Sequence, residues 1–428
     1  MTIPPVRRPE PVSVVRNVRP WGGAPCDIAI SGDRIVDIRP HAPGTAQTPA
    51  AGAPPAGAQG ALSRHSGPGD PGSAVAEAVV DGHGLLALPG IVNAHAHVDK
   101  SWWGLPWQSY AGEPTTEGRI AHERALRDDL GIPGAEQTAR VLEQMVSMGT
   151  TAIRTHVDVD TGLGLRGIEV VRAAAAAYEG ALDVQIVAFP QDGILRRPGV
   201  AQLLRTAAEQ GAECIGGLDP AGIDRDPVGQ LDLLTALAAD TGTGIDIHLH
   251  DPGELGAFQI ELLCDLTEQR GLRGRVNLAH AFALAQVDSA RRSALLERMG
   301  GLGMTVTTVA PLRLPQLPHR ELAEHGVRLG LGTDGIRDLW SPYGTGDTLG
   351  IAWQFARASA LNEDGALLEA VRLATTDGAW AVGRGPGAHD LVVGARADIV
   401  LVDAVNPMDA LVRTPDRAAV IAGGRRLR

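Results

Sequence analysis

Between residues 90 and 384, short apolar runs alternate with longer stretches in which apolar residues recur at helical spacing. The runs typical of strands lie at 90–97, 151–157, 184–189, 214–218, 245–250, 275–280, 304–308 and 328–333. The helical stretches between them include 136–148, 165–178, 200–210, 230–240, 256–270 and 289–299. Eight β–α units in about 300 residues predict an α/β fold, a (β/α)8 barrel. A doubly wound sheet is the alternative, but the Gly-rich turn that usually follows its first strand is missing.

The two ends of the chain show a different pattern, in which short strands are separated by turn residues. Strand-like runs lie at 13–18, 27–30, 34–38, 79–81, 397–402 and 419–421. Turn residues at 31–33 and 423–424 predict hairpins. We therefore expect the two ends, residues 1–88 and 385–428, to pair into one small β domain beside a barrel at 89–384.

The segment 42–76 consists almost entirely of Ala, Pro, Gly, Ser, Thr and Gln. Such a composition cannot bury enough apolar surface to form a core. It predicts a disordered insertion within the N-terminal part of the β domain, and we expect no functional residues there.

Polar and apolar residues alternate along the first predicted barrel strand. Successive side chains of a strand point to opposite faces, so the polar residues share one face. They are Asn93, His95, His97 and Asp99. Two histidines at positions i and i+2 can chelate one metal ion, and imidazole suits zinc, iron and similar metals.

Three further strands end in ionisable residues. Asp246, His248 and His250 share a face on one strand, His280 ends the next, and Asp334 follows the last. In a barrel, the C-terminal strand ends form the catalytic face. A lone histidine at a strand end is more often structural, but such groups on four strands are hard to explain by packing. Together they predict a metal site.

Composition narrows the classes of partner. The chain has 428 residues and a formal net charge of −12, which argues against nucleic acid or an anionic membrane. Its three cysteines are far apart, so a disulfide framework or a thiolate zinc site is not expected. No apolar stretch suits a signal peptide or a bilayer span, and we expect a cytoplasmic, globular protein.

Several motifs resemble those of known enzymes. The sequence LPGIVNAHAH at 88–97 and the segment GARADIV at 394–400 resemble the amidohydrolase superfamily. The segments 154–159, 187–194 and 338–345 are similar to its cytosine deaminase branch, and HVDK at 97–100 resembles the N-isopropylammelide isopropylaminohydrolases of that branch. The resemblance implies a distorted (β/α)8 barrel with a small β-sandwich built from both termini.

The resemblance also implies roles for individual residues. One divalent metal ion, zinc or iron, would be bound by His95, His97, His248 and Asp334. Asp334 would accept a proton from the attacking water, and His280 would orient that water and polarise the attacked carbon. Gln191 would bind the substrate ring, and Lys100 would stabilise charge on it. Two-metal members bridge their ions with a lysine after the fourth strand. Lys100 is the single lysine of this chain and follows the first strand, so one metal is favoured.

The sequence departs from the cytosine deaminase pattern at two positions. Asp251 stands where those enzymes carry a glutamate that shuttles a proton, and Glu254 is the alternative for this role. Gly335 stands where they carry an aspartate, so a substrate contact is lost and we expect a roomier pocket. Cytosine itself is therefore not expected as the substrate.

Other residues near the predicted strand ends are candidates for substrate contacts. His250 faces the lumen one step beyond the metal histidine. His156 shares a face with Asp158, where the pair would orient a ligand or fill the barrel. Trp340 lies in a strand-end loop, and an aromatic wall suits a flat heterocycle, although such residues often only pack loops.

These observations predict a metal-dependent aminohydrolase. It would replace an exocyclic amine of a planar N-heterocycle, such as a pyrimidine, triazine or pterin, with oxygen. One alternative is a metal-dependent hydrolase of a cyclic or linear amide, and another is a non-catalytic scaffold. The expected partner is a small-molecule substrate, and self-association into a homo-oligomer is also expected of such a barrel.

Overall fold

The computed structural model describes residues 8–42 and 78–428. The segment 42–76, predicted above to be a disordered insertion, lies outside the described residues apart from Ala42. Within the described residues, the strands form two sheets, one parallel and central, the other built from both ends of the chain.

The central sheet contains the strands predicted between residues 90 and 384. They are β7 (Ile91–His97), β8 (Thr150–Asp158), β9 (Asp183–Phe189), β10 (Cys214–Leu218), β11 (Gly244–Leu249), β12 (Val276–His280), β13 (Thr305–Thr308), β14 (Arg328–Leu331) and β15 (Asp334–Gly335). Each strand pairs in parallel with the next along the chain from β7 to β14. The sheet curls, because β15 pairs in parallel with β7. The predicted α/β class with a curled parallel sheet is therefore confirmed.

Helices connect the parallel strands and cover the outside of the sheet. They are α1 (Thr116–Leu126), α2 (Ala135–Ser147), α3 (Arg166–Ala176), α4 (Val200–Glu209), α5 (Pro227–Thr241), α6 (Gly253–Gln269), α7 (Ser289–Gly301), α8 (His319–Glu324), α9 (Thr348–Ala358), α10 (Asp364–Leu373), α11 (Thr376–Ala381) and α12 (Pro407–Arg413), with short helical turns at Pro220–Asp224 and Phe282–Ala285. The helices α2 to α7 correspond to the predicted ones, whereas α1 and α8 to α12 were not predicted. In the described part of the chain, none of these helices has the length and apolar character that a bilayer span requires.

The second sheet combines strands from both ends of the chain. Its strands are β1 (Glu10–Pro11), β2 (Val14–Pro20), β3 (Cys26–Ser31), β4 (Arg34–Pro40), β5 (Val79–Asp81), β6 (Leu86–Pro89), β16 (Ile399–Val402), β17 (Arg417–Ala422) and β18 (Arg425–Arg426). The strand β6 leads directly into β7 and pairs with β16, so the two ends of the chain meet beside the start of the parallel sheet.

Apolar residues on both faces of β16 connect the two sheets. Val400 and Val402 pack into the core around the parallel sheet, whereas Ile399 and Leu401 pack into a separate core inside the terminal sheet. This division follows the alternation of side chains along a strand. An all-apolar strand is required here because both of its faces are buried.

A buried carboxylate fastens the terminal sheet to the parallel sheet. Asp398, whose side chain is 1% exposed, accepts hydrogen bonds from Arg384 Nη1 at 2.8 Å and from the backbone N–H of Gly423 at 2.8 Å. Its Oδ2 lies 3.3 Å from His389 Nδ1, and Arg384 also contacts Asp183 at the start of β9. Burial alone would raise the pKa of Asp398, but His389 and the neighbouring arginines lower it.

We predict that Asp398→Ala destabilises the protein by about 3–5 kcal/mol, because it removes the more deeply buried of the two acids that contact Arg384 and leaves the Gly423 N–H without its acceptor. Since the pKa of Asp398 is depressed in the fold, its contribution is complete above the ordinary aspartate pKa of about 3.9 and is lost progressively as the pH falls from there through the lower pKa of the folded state. Urea unfolding at a series of pH values from about 7 down to about 2 measures both effects. The exposed Asp403→Ala is the matched control, and an equal loss in both variants would contradict the assignment.

Candidate metal centre and active site

The ionisable strand-end residues converge at one end of the parallel sheet. His95 and His97 lie on β7, His248 on β11, His280 at the end of β12, and Asp334 on β15. The side chains of His95 and His97 point the same way because they are two residues apart on one strand. Gly332, just before β15, allows the chain to pass close to β7. A Cβ at Gly332 would lie 2.4–2.6 Å from the backbone and Cβ of His95.

The ring nitrogens and the carboxylate lie within a few ångströms of one another. Asp334 Oδ1 is 3.3 Å from His97 Nε2 and 3.6 Å from His95 Nε2. His97 Nε2 is 3.3 Å from His248 Nε2. His97 Nδ1–H donates to the carbonyl of His156 at 3.1 Å, which orients Nε2 toward the cluster. Two such overlapping groups have metal-binding geometry, one with His95, His97, His156 and His248, the other with His95, His280 and Asp334.

The donor atoms of this cluster fit a metal ion. Both ring nitrogens of His95 are buried without a hydrogen-bond partner, as is Nδ1 of His280. Burial, with Lys100 nearby, lowers the pKa of His97 to about 3, and burial lowers the pKa of His248 well below its usual range. Burial alone would raise the pKa of Asp334, but His95 and His97 lower it strongly. Neutral imidazoles and an ionised carboxylate are the forms that bind metal.

Backbone strain marks two of these positions. His280 has φ = 70° and Asp334 has φ = 60°, in the left-handed region that non-glycine residues rarely adopt. Strained residues cluster at functional sites, where the surrounding structure holds them. His280 ends β12 and Asp334 begins β15, and both side chains belong to the same group of possible metal ligands.

His156 lies behind the cluster rather than beside a substrate. Its side chain is fully buried and does not line the cavity described below. Its Nε2 is 3.2 Å from Asp246 Oδ1, and its ring centroid is 4.4 Å from that of His95. Asp246 also contacts Arg154 at 3.2 Å. His156, predicted as a candidate for substrate contact, therefore has the rings of His97 and Phe189 as neighbours and does not line the cavity.

A cavity of about 540 Å³ opens above the cluster, a size typical of small-molecule sites. Most of the predicted site residues line it. They are Lys100, His97, Gln191, His248, His250, His280, Asp334 and Trp340. Phe189 forms part of the wall, with its ring stacked on His248 at a centroid distance of 4.2 Å.

Lys100 lies in a cluster of buried acids that the sequence analysis only partly anticipated. Its Nζ is 2.7 Å from Asp158 Oδ1 and 3.7 Å from Glu123 Oε2. Burial lowers the pKa of Lys100. The nearby acids raise it by more, so the pKa of Lys100 is raised overall; these acids are Asp158, Glu123 and Asp99. Burial and Asp158 raise the pKa of Asp99 to about 7. The ammonium is therefore a fixed positive charge at the wall of the cavity.

Gln191 and Trp340 are held by the same cluster. Gln191 Oε1 accepts from Lys100 at 2.6 Å, and its Nε2 donates to Glu123 and Asp158, each at 3.2 Å. Trp340 Nε1 donates to Glu123 Oε2 at 2.6 Å. Glu123 thus links three predicted site residues. Glu123 was not among the predicted site residues, because it lies on α1, a helix that the sequence pattern did not indicate.

His250 and Asp251 separate into different environments. His250 lines the cavity, and its Nδ1 is 3.0 Å from Asp219 Oδ2; burial lowers its pKa, but Asp219 raises it overall. Asp251 does not line the cavity and accepts instead from Gln259 Nε2 at 2.9 Å. Glu254 is on the surface, 3.4 Å from Arg291. Neither acid is therefore placed as the predicted proton shuttle, since β11 ends at Leu249 and the following loop turns the Asp251 side chain away.

Comparison with known proteins settles the family. The profile of the amidohydrolase family matches residues 78–427, nearly all of the chain outside its first segment. The chain belongs to the amidohydrolase family. The predicted family and the predicted enzyme class, a hydrolase of carbon–nitrogen bonds, are thereby confirmed.

Individual members of the family resemble this amidohydrolase over most of their length. The crystal structure of N-isopropylammelide isopropylaminohydrolase from Burkholderia multivorans is 37% identical, covers 96% of this chain and 97% of that chain, and has a TM-score of 0.84. The N-isopropylammelide isopropyl amidohydrolase of Pseudomonas sp. (strain ADP) is 32% identical over 81% of this chain and 87% of its own. The pterin deaminase of Rhizobium rhizogenes is 27% identical over 83% of each chain.

We predict that His248→Ala loses bound metal whereas His250→Ala keeps it. His248 lies within the histidine cluster, while His250 is held by Asp219 beside it. Metal content of each purified variant, measured by inductively coupled plasma mass spectrometry after zinc loading, checks this. Equal loss of metal from the two variants would show that the ligand set is assigned wrongly.

Proposed function

We propose that this amidohydrolase removes an exocyclic amine from a planar N-heterocycle of the triazine, pyrimidine or pterin type. The observation that carries the proposal is the placement of the buried histidine cluster directly beneath a cavity walled by Phe189, Trp340 and Lys100. A flat ring suits the aromatic walls, and Lys100 provides a charge beside it. The relatives named above act on an alkylated triazine and on pterins, which supports this substrate class.

We further propose that His95, His97, His248 and Asp334 bind one divalent metal ion, zinc or iron. The orphaned nitrogens and the neutral histidines support this ligand set. When bound, such an ion supplies Lewis-acid activation of water near neutral pH. His156 would then support the site from behind, where its Nε2 lies 3.2 Å from Asp246 Oδ1.

The residues of the chain would divide the reaction among them. Asp334 accepts a proton from the attacking water and returns it to the departing nitrogen. The oxygen of that water becomes the ring carbonyl, and its second proton remains on a ring nitrogen. His280 stabilises charge at the attacked carbon. His250, held by Asp219, hydrogen-bonds the departing amine.

The outer part of the cavity suggests that the amine carries a substituent. Apolar side chains of Tyr343, Ile351 and Trp353 line it, beyond the polar residues near the metal site. Together they would contact an alkyl group on the exocyclic nitrogen. This arrangement favours a substituted amine over a free amino group as the part that leaves.

We also propose the finer architecture expected from the sequence. The curled sheet would form a complete (β/α)8 barrel over residues 89–384, supported by the pairing of β15 with β7. The two halves of the terminal sheet would form a small β-sandwich from residues 1–88 and 385–428. The separate apolar core containing Ile28 and Ile399 supports this division.

We predict that the metal-loaded protein releases isopropylamine from N-isopropylammelide and replaces it with oxygen. Mass spectrometry of products from a panel of N-alkyl aminotriazines, aminopyrimidines, pterins and cyclic amides measures this. His248→Ala, which removes a proposed ligand, should be inactive on the same panel. Simple addition of water to a cyclic amide would replace the proposal with ring-opening hydrolysis, and a metal-loaded protein inactive toward every class would contradict both.

We predict that Asp251→Asn retains kcat/KM within about threefold of wild type, because Asp251 lies outside the cavity and an amide can still contact Gln259. His250→Gln should lower kcat/KM by about 10- to 100-fold, since it removes a hydrogen bond at the departing nitrogen. Steady-state kinetics on the substrate found in the panel compares the two. A loss of 1000-fold in Asp251→Asn would restore Asp251 as the proton shuttle.

A further inference from the structure

Gly335 and Asp338 form a close contact at the edge of the cavity. A Cβ placed at Gly335 would lie 1.6 Å from Asp338 Oδ2 and 2.8 Å from its Cγ. The backbone of Gly335 is outside the left-handed region, so its conformation does not require glycine. Glycine is therefore required for space, because any larger residue would displace the Asp338 carboxylate. The roomier pocket expected at Gly335 is instead occupied by this carboxylate.

The two oxygens of Asp338 have different surroundings. Oδ1 accepts hydrogen bonds from the backbone N–H groups of Trp340 at 2.8 Å and Ser341 at 2.7 Å, which fixes the loop that carries Trp340. Among the described residues, Oδ2 has no hydrogen-bond donor, and no Arg, Lys or His nitrogen lies within 4.0 Å of the carboxylate. Asp338 is nevertheless only 7% exposed and lines the cavity.

The other acids near the cavity have protein partners. Asp334 contacts His95 and His97, and Asp347, in the outer part of the cavity, contacts Arg417. Asp158 and Glu123 both contact Lys100. Asp338 lines the cavity with a carboxylate oxygen that no protein group pairs, so that oxygen is available to a ligand that brings a hydrogen-bond donor.

We infer that Asp338 is a specificity residue that accepts a hydrogen bond, through Oδ2, from an N–H of the substrate ring, and that Gly335 makes room for it. The inference rests on the proposed function and narrows its substrate class. Rings that carry an N–H beside the reacting carbon, such as hydroxylated aminotriazines in their keto form, satisfy the carboxylate. Rings whose corresponding nitrogen is alkylated leave the oxygen unpaired.

The substitution Asp338→Asn separates the contact of Oδ2 with the substrate from the structural contacts of Oδ1 with the backbone of Trp340 and Ser341. Asparagine keeps an oxygen for the N–H groups of Trp340 and Ser341, but it presents an NH₂ donor where Oδ2 accepts. We expect kcat/KM for N-isopropylammelide to fall roughly 10- to 100-fold, the loss of one hydrogen bond to a charged group. We expect the melting temperature to stay within a few degrees of wild type. The matched control is Asp288→Asn, which changes an exposed N-cap of α7 and should leave both quantities unchanged.

Binding provides a readout that does not depend on turnover. Isothermal titration of the zinc-loaded His280→Ala variant, in which turnover should be lost, should show tighter binding of N-isopropylammelide than of its ring-N-methylated derivative, by roughly tenfold or more. When Asp338→Asn is added to this variant, the discrimination should disappear. A purely structural role for Asp338 would weaken both ligands equally and leave the ratio unchanged.

A second pair of variants tests the part played by Gly335. Gly335→Ala should reproduce the loss seen in Asp338→Asn, because its methyl group displaces the carboxylate. In an Asp338→Ala background, Gly335→Ala should lower kcat/KM only slightly further, since the carboxylate that the methyl group would displace is absent. Zinc content should remain at the wild-type level in both, which checks that the adjacent Asp334 is undisturbed.

The outcomes distinguish the inference from the function on which it rests. If wild type turns over N-isopropylammelide and Asp338→Asn matches it within twofold, or keeps the ligand discrimination in the His280→Ala background, the role of Asp338 is overturned and the function stands. Additive effects of Gly335→Ala and Asp338→Ala would overturn the role of Gly335. If zinc-loaded wild type neither binds nor converts any N-heterocycle of the panel, the proposed function fails and the inference fails with it.

Discussion

Buried imidazoles that converge on one point are the constraint on which this structure depends. Both ring nitrogens of His95 and Nδ1 of His248 are buried without a hydrogen-bond partner. Burial lowers the pKa of His97 to about 3 and that of His248 well below its usual range, so protonation does not satisfy these two rings. A cation is the group that resolves such an arrangement. The curled parallel sheet makes this arrangement possible. The ends of its strands converge, and this brings histidines that are distant in sequence to one point.

A second group of buried ionisable residues lies beside the histidine cluster. In this group a positive charge is already present and is surrounded by acids. Lys100 carries a permanent positive charge, and three buried acids surround it. Burial raises the pKa of Asp158 well above its usual range and that of Asp99 to about 7, so these carboxyls hold protons under conditions where exposed ones do not. The hydrogen bonds of Gln191 and Glu123 then fix Lys100 and Trp340 relative to each other. Hydrogen bonds therefore hold the side chains of this wall of the cavity in place.

The sequence predicts the strands and the faces of their side chains well, but not what lies above or beside them. The alternation in β7 placed His95 and His97 on one face because a strand has a fixed period. The same rule assigned His156 to the lumen correctly, yet it cannot tell that other rings cover it. Asp251 follows a strand end, and a loop side chain has no period from which its direction could be predicted. Glu123 and Asp338 were missed because they reach the site from a helix and a loop.

The sharing of β16 and β17 between two cores has a consequence for synthesis on the ribosome. Val400, Val420 and Leu427 belong to the same apolar core as the first parallel strand, which is made some 300 residues earlier. That core cannot close while the last strands are still inside the exit tunnel. Until then, the apolar residues of the parallel sheet that pack against these strands in the folded protein remain exposed. Chaperones bind such surface and keep it from other chains, so we expect this chain to need that protection until β16 and β17 are made.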